Sequence, residues 1–368
     1  MKVPFFDYPK LYLSDKKNLL SIIDKTSSSG AFIMQKDLKD FELKLASYSS
    51  AKYSIGVANA TDGLELALMS IGLKKGDEVI CSSHTMLATA AAIKLAGGTP
   101  IPVEIGDDNL INYAAIEDAI TSRTVGIMPT QLNGRTCNMD KINMIKDKYK
   151  LFIVEDAAQA LGSKFKGKNA GTFGIASAIS FFPAKVLGCL GDGGAVLTND
   201  EETFDKIYQL HDHGRNIDGE VKSWGRNSRL DNLQAAILNY KFNDYNNVIE
   251  RRRSIASIYE EKLSSIAQIK LPPSPDSDLN HFDVYQNYEI ECDRRNELKE
   301  YLLKKGIGTL IQWGGKGIHQ WEGLGFDIKL EKVEKFFERC LLLPMNQFIS
   351  NDDVDYICNN IIEFFKAK

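Results

Sequence analysis

Between residues 54 and 199, short apolar runs alternate with stretches whose apolar positions recur every three or four residues, the pattern of a layered α/β domain. The runs predict strands at residues 54–58, 78–82, 99–103, 125–129, 152–155, 178–181 and 194–198. The helical periodicity predicts helices at residues 61–71, 85–95, 113–119, 139–149 and 231–242. In the last of these Leu233, Ala236, Ile237 and Tyr240 share one face. From Lys241 to Arg253 the chain turns highly charged, and a long polar helix is expected to run on to about Ser265. Pro272-Pro273-Ser274-Pro275 then marks a surface break. Beyond it, residues 285–291 read as a strand, 295–305 as a helix and 352–365 as a terminal helix. The expected division is a large domain over residues 1–245 and a smaller α+β domain over residues 246–368.

Composition narrows the class without naming a chemistry. The 368 residues suffice for one large or two medium domains, and 43% hydrophobic with 26% charged residues is ordinary for a globular chain. A net charge of −4 gives no basic field for a nucleic acid or an anionic membrane. The start, Met1-Lys2-Val3-Pro4-Phe5-Phe6-Asp7, lacks the apolar core of a signal peptide, and no apolar run is long enough to span a bilayer. A cytoplasmic location is therefore expected. Six cysteines without a Cys-x-x-Cys pair and five dispersed histidines indicate neither a disulfide framework nor a metal site.

Candidate chemistry concentrates in four segments. In Ser180-Phe181-Phe182-Pro183-Ala184-Lys185-Val186-Leu187-Gly188-Cys189-Leu190-Gly191-Asp192-Gly193-Gly194, four glycines follow one lysine and a small hydroxyl precedes it. Glycines exclude bulky neighbours and admit a ligand, the access that a Schiff-base lysine needs. Taken alone, Lys185 also reads as a surface lysine on a glycine-rich loop. Upstream, the apolar run 151–154 ends on Glu155-Asp156. Asp156, at the carboxyl end of a buried strand, can pair with a protonated pyridine nitrogen, as pyridoxal 5'-phosphate (PLP) requires. Otherwise it is a solvated strand end. Gln159 returns to the same side, within reach of a ring hydroxyl. Asn59-Ala60-Thr61-Asp62-Gly63 opens a helix whose unpaired N–H groups form an anion site, or Thr61 simply caps that helix. Asn227 and Arg229 alternate outward in an extended segment before another helix, addressed to a phosphate or carboxylate or to a structural ion pair.

The ordered set Ala-Thr-Asp-Gly, Glu-Asp-Ala-Ala-Gln-Ala, Ser-Phe-x-Pro-x-Lys-x-Leu-Gly-x-x-Gly-Asp-Gly-Gly and Gly-x-Asn-x-Arg-Leu-Asp-x-Leu-Gln-Ala-Ala resembles the nucleotide-sugar aminotransferases of the DegT/DnrJ/StrS type. The likeness runs from Ser29-Gly30-Ala31-Phe32-Ile33-Met34 to Leu342-Leu343-Pro344-Met345. It implies the PLP-dependent transferase fold type I, a mixed, mostly parallel seven-stranded sheet with flanking helices and a small C-terminal domain. It also implies a homodimer with shared active sites, transferring an amino group from L-glutamate to a nucleotide-linked keto-sugar for lipopolysaccharide O-antigen, other surface glycans or antibiotics. By motif position, Lys185 would carry the cofactor, Asp156 pair with its ring nitrogen and Gln159 meet its ring hydroxyl. Ala60, Thr61 and Ser180 would hold the phosphate, Asn227 would reach the phosphate in the neighbouring subunit, and Arg229 would lie near a substrate carboxylate. Phe32 belongs to the N-terminal loop on the substrate side. Three departures stand out. Met86 replaces the usual aromatic residue stacked on the cofactor, Asp283-Val284-Tyr285-Gln286 replaces His-x-Tyr-His, and the loop carrying Trp313 and His319 is altered around the sugar pocket. A dehydratase on the same scaffold would carry histidine in place of Lys185, and a non-catalytic regulator would have lost Lys185 or Asp156.

Overall fold

The computed structural model describes residues 2–366. Seven strands form one sheet: β1 (Tyr53–Val57), β2 (Glu78–Ser82), β3 (Thr99–Val103), β4 (Thr124–Met128), β5 (Phe152–Asp156), β6 (Ala176–Ser180) and β7 (Gly194–Thr198). Their spatial order is β1-β7-β6-β5-β4-β2-β3. All neighbours are parallel except β7, which runs antiparallel to both β1 and β6. Each expected run falls on a strand, the largest displacement being Ala176–Ser180 against the expected 178–181.

Continuous apolar runs form here because both faces of the sheet are covered. Ala178 and Val196 pack with Leu64 of helix Ala60–Ser70 on one face. Their strand neighbours Ile179, Ala195 and Leu197 pack with Phe41, Leu45 and Leu238 on the other. Those three come from helices Lys36–Ser49 and Asn232–Lys241.

A second core lies around a three-stranded antiparallel sheet of β8 (Ile269–Lys270), β9 (Tyr288–Cys292) and β10 (Cys340–Leu343). Helix Tyr245–Leu263 serves both cores. Tyr245 and Ile249 pack beside the large sheet, whereas Ile255, Ala256, Tyr259 and Leu263 pack in the second core.

Two departures from expectation share the burial of Arg252 and Arg253. The expected long helix is present as Tyr245–Leu263, but it is not polar on every face. A 3-10 turn at Phe242–Asp244 separates it from the preceding helix, and Arg252 and Arg253 are buried. Arg252 Nη1 donates to the carbonyls of Tyr285 (3.0 Å) and Gln286 (3.1 Å), and Arg253 Nη1 donates to that of Asp283 (3.0 Å). Those carbonyls are therefore bonded to guanidinium groups rather than to a neighbouring strand. The expected strand 285–291 accordingly begins only at Tyr288, and Tyr285 has a left-handed φ of 49°.

Candidate active site

Successive strand residues face opposite sides of a sheet, so the two carboxylates ending β5 have separate tasks. Glu155 is fully enclosed and accepts from the N–H groups of Gly171 (2.8 Å), Phe173 (2.6 Å) and Gly174 (2.9 Å) and from Gln131 Nε2 (2.7 Å). It fastens the turn leading into β6. Asp156, also buried, accepts the Thr89 hydroxyl at 2.6 Å and the Ala158 N–H at 3.2 Å. Thr85 lies 2.6 Å from Thr89 and 2.7 Å from Thr130, which keeps Thr89 on its carboxylate. For that reason the helix expected from residue 85 begins at Leu87, with Thr85 committed to this chain of hydroxyls. Burial pushes the Asp156 carboxyl up, opposed by the Thr89 and Ala158 bonds and by the charge of Lys185.

Lys185 sits on a tight turn, its N–H donating to Phe182 O at 2.8 Å. Gly188 is required there, since a Cβ would lie 2.8 Å from the carbonyl oxygens of both Phe182 and Pro183. Gln286 clasps the lysine's backbone from both sides. Its Nε2 donates to Ala184 O (2.9 Å), and its Oε1 accepts from Val186 N–H (3.0 Å). Burial pushes the Lys185 amine down to about 8, against a smaller upward pull from Asp156. Half of the amine is therefore uncharged near pH 8, ready to act as nucleophile or base. Acetylation of the apoprotein across pH, read by mass spectrometry, should give the Lys185 peptide a midpoint near 8. A midpoint in the ordinary lysine range, about 10, would show that the amine is not desolvated.

The other end of the site is a helix start. Asn59 caps helix Ala60–Ser70 by accepting from Asp62 N–H at 2.9 Å, so Thr61 is not the cap and its hydroxyl is spared. The N–H groups of Ala60 and Thr61 find no acceptor among the described residues. Gly194 lets β7 press against this start, because a Cβ would meet the Asn59 backbone and Ala60 N at 2.6–2.9 Å. Ser180 is the register partner of Gly194, so its hydroxyl stands beside the same helix end. Ser180 and Gln159 share a narrow cleft with Ala158 and Lys185. An adjoining hollow of about 580 Å³ shares Lys185, Val186, Leu187 and Tyr245 with that cleft and extends to Tyr8, Arg252 and Phe348. A lysine of lowered basicity, a buried carboxylate, and unpaired N–H groups beside a serine match the aldehyde, ring nitrogen and phosphate of PLP.

The remaining candidates are dispersed within the single chain. Met86 is half exposed at the start of helix Leu87–Leu95. Ser228 is buried, donating to Asp62 Oδ2 at 2.7 Å and accepting from Ala58 N–H at 3.2 Å. By strand alternation its neighbour Asn227 faces outward, exposed and capping no helix. Arg229 donates to Asp212 at 2.9 Å, the structural ion pair that its sequence context also allowed. Phe32 is exposed. Trp313 packs edge-on to His84 and Phe337. His319 is buried, with Nδ1 2.6 Å from the Ser83 hydroxyl and Nε2 3.2 Å from Glu334. Neither Trp313 nor His319 lines the cleft at Lys185. Thr89 and Asn133 carried no signal in the sequence, because each acts through a partner distant along the chain. Among the described residues no helix is long and apolar enough to cross a membrane, and no cluster of His, Cys, Asp or Glu is arranged to hold a metal.

The chain is similar to known proteins over nearly its whole length. Residues 14–362 match the DegT/DnrJ/EryC1/StrS aminotransferase family. A "pleiotropic regulatory protein" of Geobacillus stearothermophilus is 35% identical over 371 residues, covering 100% of this chain and 99% of that one. A dTDP-3-amino-3,6-dideoxy-alpha-D-galactopyranose transaminase of Aneurinibacillus thermoaerophilus is 37% identical over 362 residues, covering 96% and 97%. Among solved structures, S. venezuelae DesV in complex with a ketimine intermediate superposes with a TM-score of 0.94 at 32% identity, covering 100% of this chain and 99% of that one.

Proposed function

The chain belongs to the DegT/DnrJ/EryC1/StrS aminotransferase family, and we propose that it transfers the amino group of L-glutamate to a keto group of a UDP- or dTDP-linked sugar. The enzyme is PLP-dependent, with the fold type I architecture described above. When bound, PLP supplies a carbonyl carbon that takes up the amino group and a ring that withdraws electrons from the carbon losing its proton. The protein does the rest. Lys185 presents an amine of lowered basicity that can take a proton and return it, and Asp156 holds a negative charge where the ring nitrogen must stay protonated. Thr89 keeps that carboxylate in place, while Ala60, Thr61 and Ser180 would hold the phosphate.

The observation that carries the reading is Lys185 beside the buried Asp156 at one end of a site whose other end is an uncapped pair of N–H groups. The sugar-nucleotide acceptor is supported by the dTDP-sugar transaminase among the relatives. Retention of Lys185 and Asp156 speaks against both the dehydratase and a purely regulatory protein, despite the name of the Geobacillus relative. Incubation with L-glutamate and a panel of UDP- and dTDP-keto-sugars should yield an aminated sugar and 2-oxoglutarate by mass spectrometry. If glutamate is consumed in a single half-turnover and no keto-sugar is aminated, the acceptor class is wrong.

The same reading includes a cytoplasmic homodimer that feeds O-antigen or another surface glycan, with a cofactor-binding domain over residues 1–245 and a smaller domain over residues 246–368. The two separate cores support the division. Support for a dimer lies in the segment leading to Asn227, where Ile217, Val221 and Trp224 are 80%, 69% and 96% exposed. With Asn227 facing away from its own chain, a twofold dimer would place it on the partner's phosphate. Mixing the inactive Lys185→Ala and Asn227→Asp variants should then restore activity toward roughly a quarter of wild type, since one of the two sites in a mixed dimer carries neither change. Subunit exchange without any recovery would place Asn227 in its own subunit's site.

A further inference from the structure

We propose that Asn133, Asn287 and Glu289 are positioning residues for Gln159, holding its side-chain amide with the NH2 group turned into the cleft as a donor to the cofactor's ring oxygen. The inference rests on the reading of that cleft as the PLP site.

Its starting point is Glu289, a buried carboxylate on β9 at the joint between the two cores. A carboxylate only accepts, so the groups facing it must be donors. Asn133 Nδ2 lies at 2.7 Å and Gln312 Nε2 at 3.0 Å, and both donate to it. With its NH2 committed to Glu289, Asn133 turns its oxygen toward Asn287 Nδ2 (2.8 Å) and Gln312 Nε2 (2.9 Å). The NH2 of Asn287 also stands 3.5 Å from Gln159 Oε1. Asn133 contributes a second contact through its backbone. It is left-handed, with φ 55° and ψ 15°, and aims its N–H at Gln159 Oε1 at 2.9 Å.

The direction of every bond in this network follows from two groups with no choice, a carboxylate at one end and a backbone N–H at the other. The Gln159 oxygen must face Asn133, because a reversed amide would set NH2 against N–H and against the NH2 of Asn287. Its nitrogen makes no hydrogen bond to any described residue, and Gln159 lines the cleft together with Ala158, Ser180 and Lys185. A donor fixed there stabilises negative charge on the ring oxygen, and so weakens the hold of the adjacent lysine-bound nitrogen on its proton. The arrangement reaches from the second core into the cleft through three amides, so the strand that carries Glu289 sets the electronics at Lys185 without touching the cofactor.

The test is the visible absorbance of the holoenzyme titrated with pH, a property that reports this proton independently of turnover. Gln159→Leu should move the midpoint upward by about one pH unit, a tenfold change in proton affinity. Asn287→Leu and Glu289→Gln should move it in the same direction by less, and neither should add to the shift in a Gln159→Leu background. Glu289→Gln preserves size and carries the test if Asn287→Leu does not fold. A shift with Gln159→Leu but with neither of the others overturns the positioning role and leaves the cofactor contact standing. So does a full extra shift on top of Gln159→Leu. No shift with Gln159→Leu removes the contact itself, and the proposal with it.

Discussion

Lys185→Ala should retain PLP through the helix start and Ser180 yet lose transamination by about 10²–10⁴-fold, the scale of removing a positioned acid–base group. The side chain has two duties that no neighbour can assume. Under the proposed reading its amine would anchor the cofactor and would also be the group placed to hold and move the proton during amino transfer. The cleft offers no substitute. Asp156 is engaged by Thr89 and Ala158 N–H, and Gln286 is spent on the backbone at residues 184 and 186. Steady-state rates with glutamate and a keto-sugar, together with a direct measurement of bound PLP, would check both halves of the expectation. Near-native turnover in this variant would remove Lys185 from the mechanism.

Asp156→Asn should slow the half-reaction with glutamate by about 10²–10³-fold, the range for deleting one preorganised electrostatic partner. Size and the Ala158 bond are kept, but the charge that holds a ring nitrogen protonated is gone. The same substitution has a signature in the apoprotein. Asp156 raises the proton affinity of Lys185 against the larger effect of burial, so its loss should move the lysine midpoint below that of the wild-type protein. The sign follows from charge alone. A neighbouring anion favours the ammonium, and without it the buried amine deprotonates at lower pH. Acetylation profiles of the two apoproteins would show the shift, while stopped-flow mixing with glutamate measures the rate. An unchanged lysine profile would mean that the two side chains do not sense each other.

Much of this was legible in the chain. The strands of the large sheet are written as contiguous apolar runs, because a sheet covered on both faces needs apolar residues at every position, and such runs are local. Lys185 and Asp156 were legible for a similar reason. Each sits where a strand ends or a glycine-rich turn begins, and those boundaries are encoded within a few residues. The helix start after Asn59 was legible as either an anion site or a plain cap, and the choice of Asn59 rather than Thr61 as the cap needed the geometry.

What the sequence by itself determined, then, is the α/β architecture and the order of the chemical segments, among them the lysine and aspartate proposed to define the site. The tertiary structure alone decided which polar side chains become architecture. Arg252 and Arg253, on a helix that reads as polar, are buried and take up the carbonyls of residues 283, 285 and 286, ahead of Tyr288, where the strand begins. His319 became a buried link between Ser83 and Glu334. Gln159 acquired its orientation from Asn133, Asn287 and Glu289, residues up to 156 positions apart along the chain. The physical reason is common to all three. A buried polar group must find a partner, and which partner lies within 3 Å is settled by how the two cores pack rather than by the residues on either side of it.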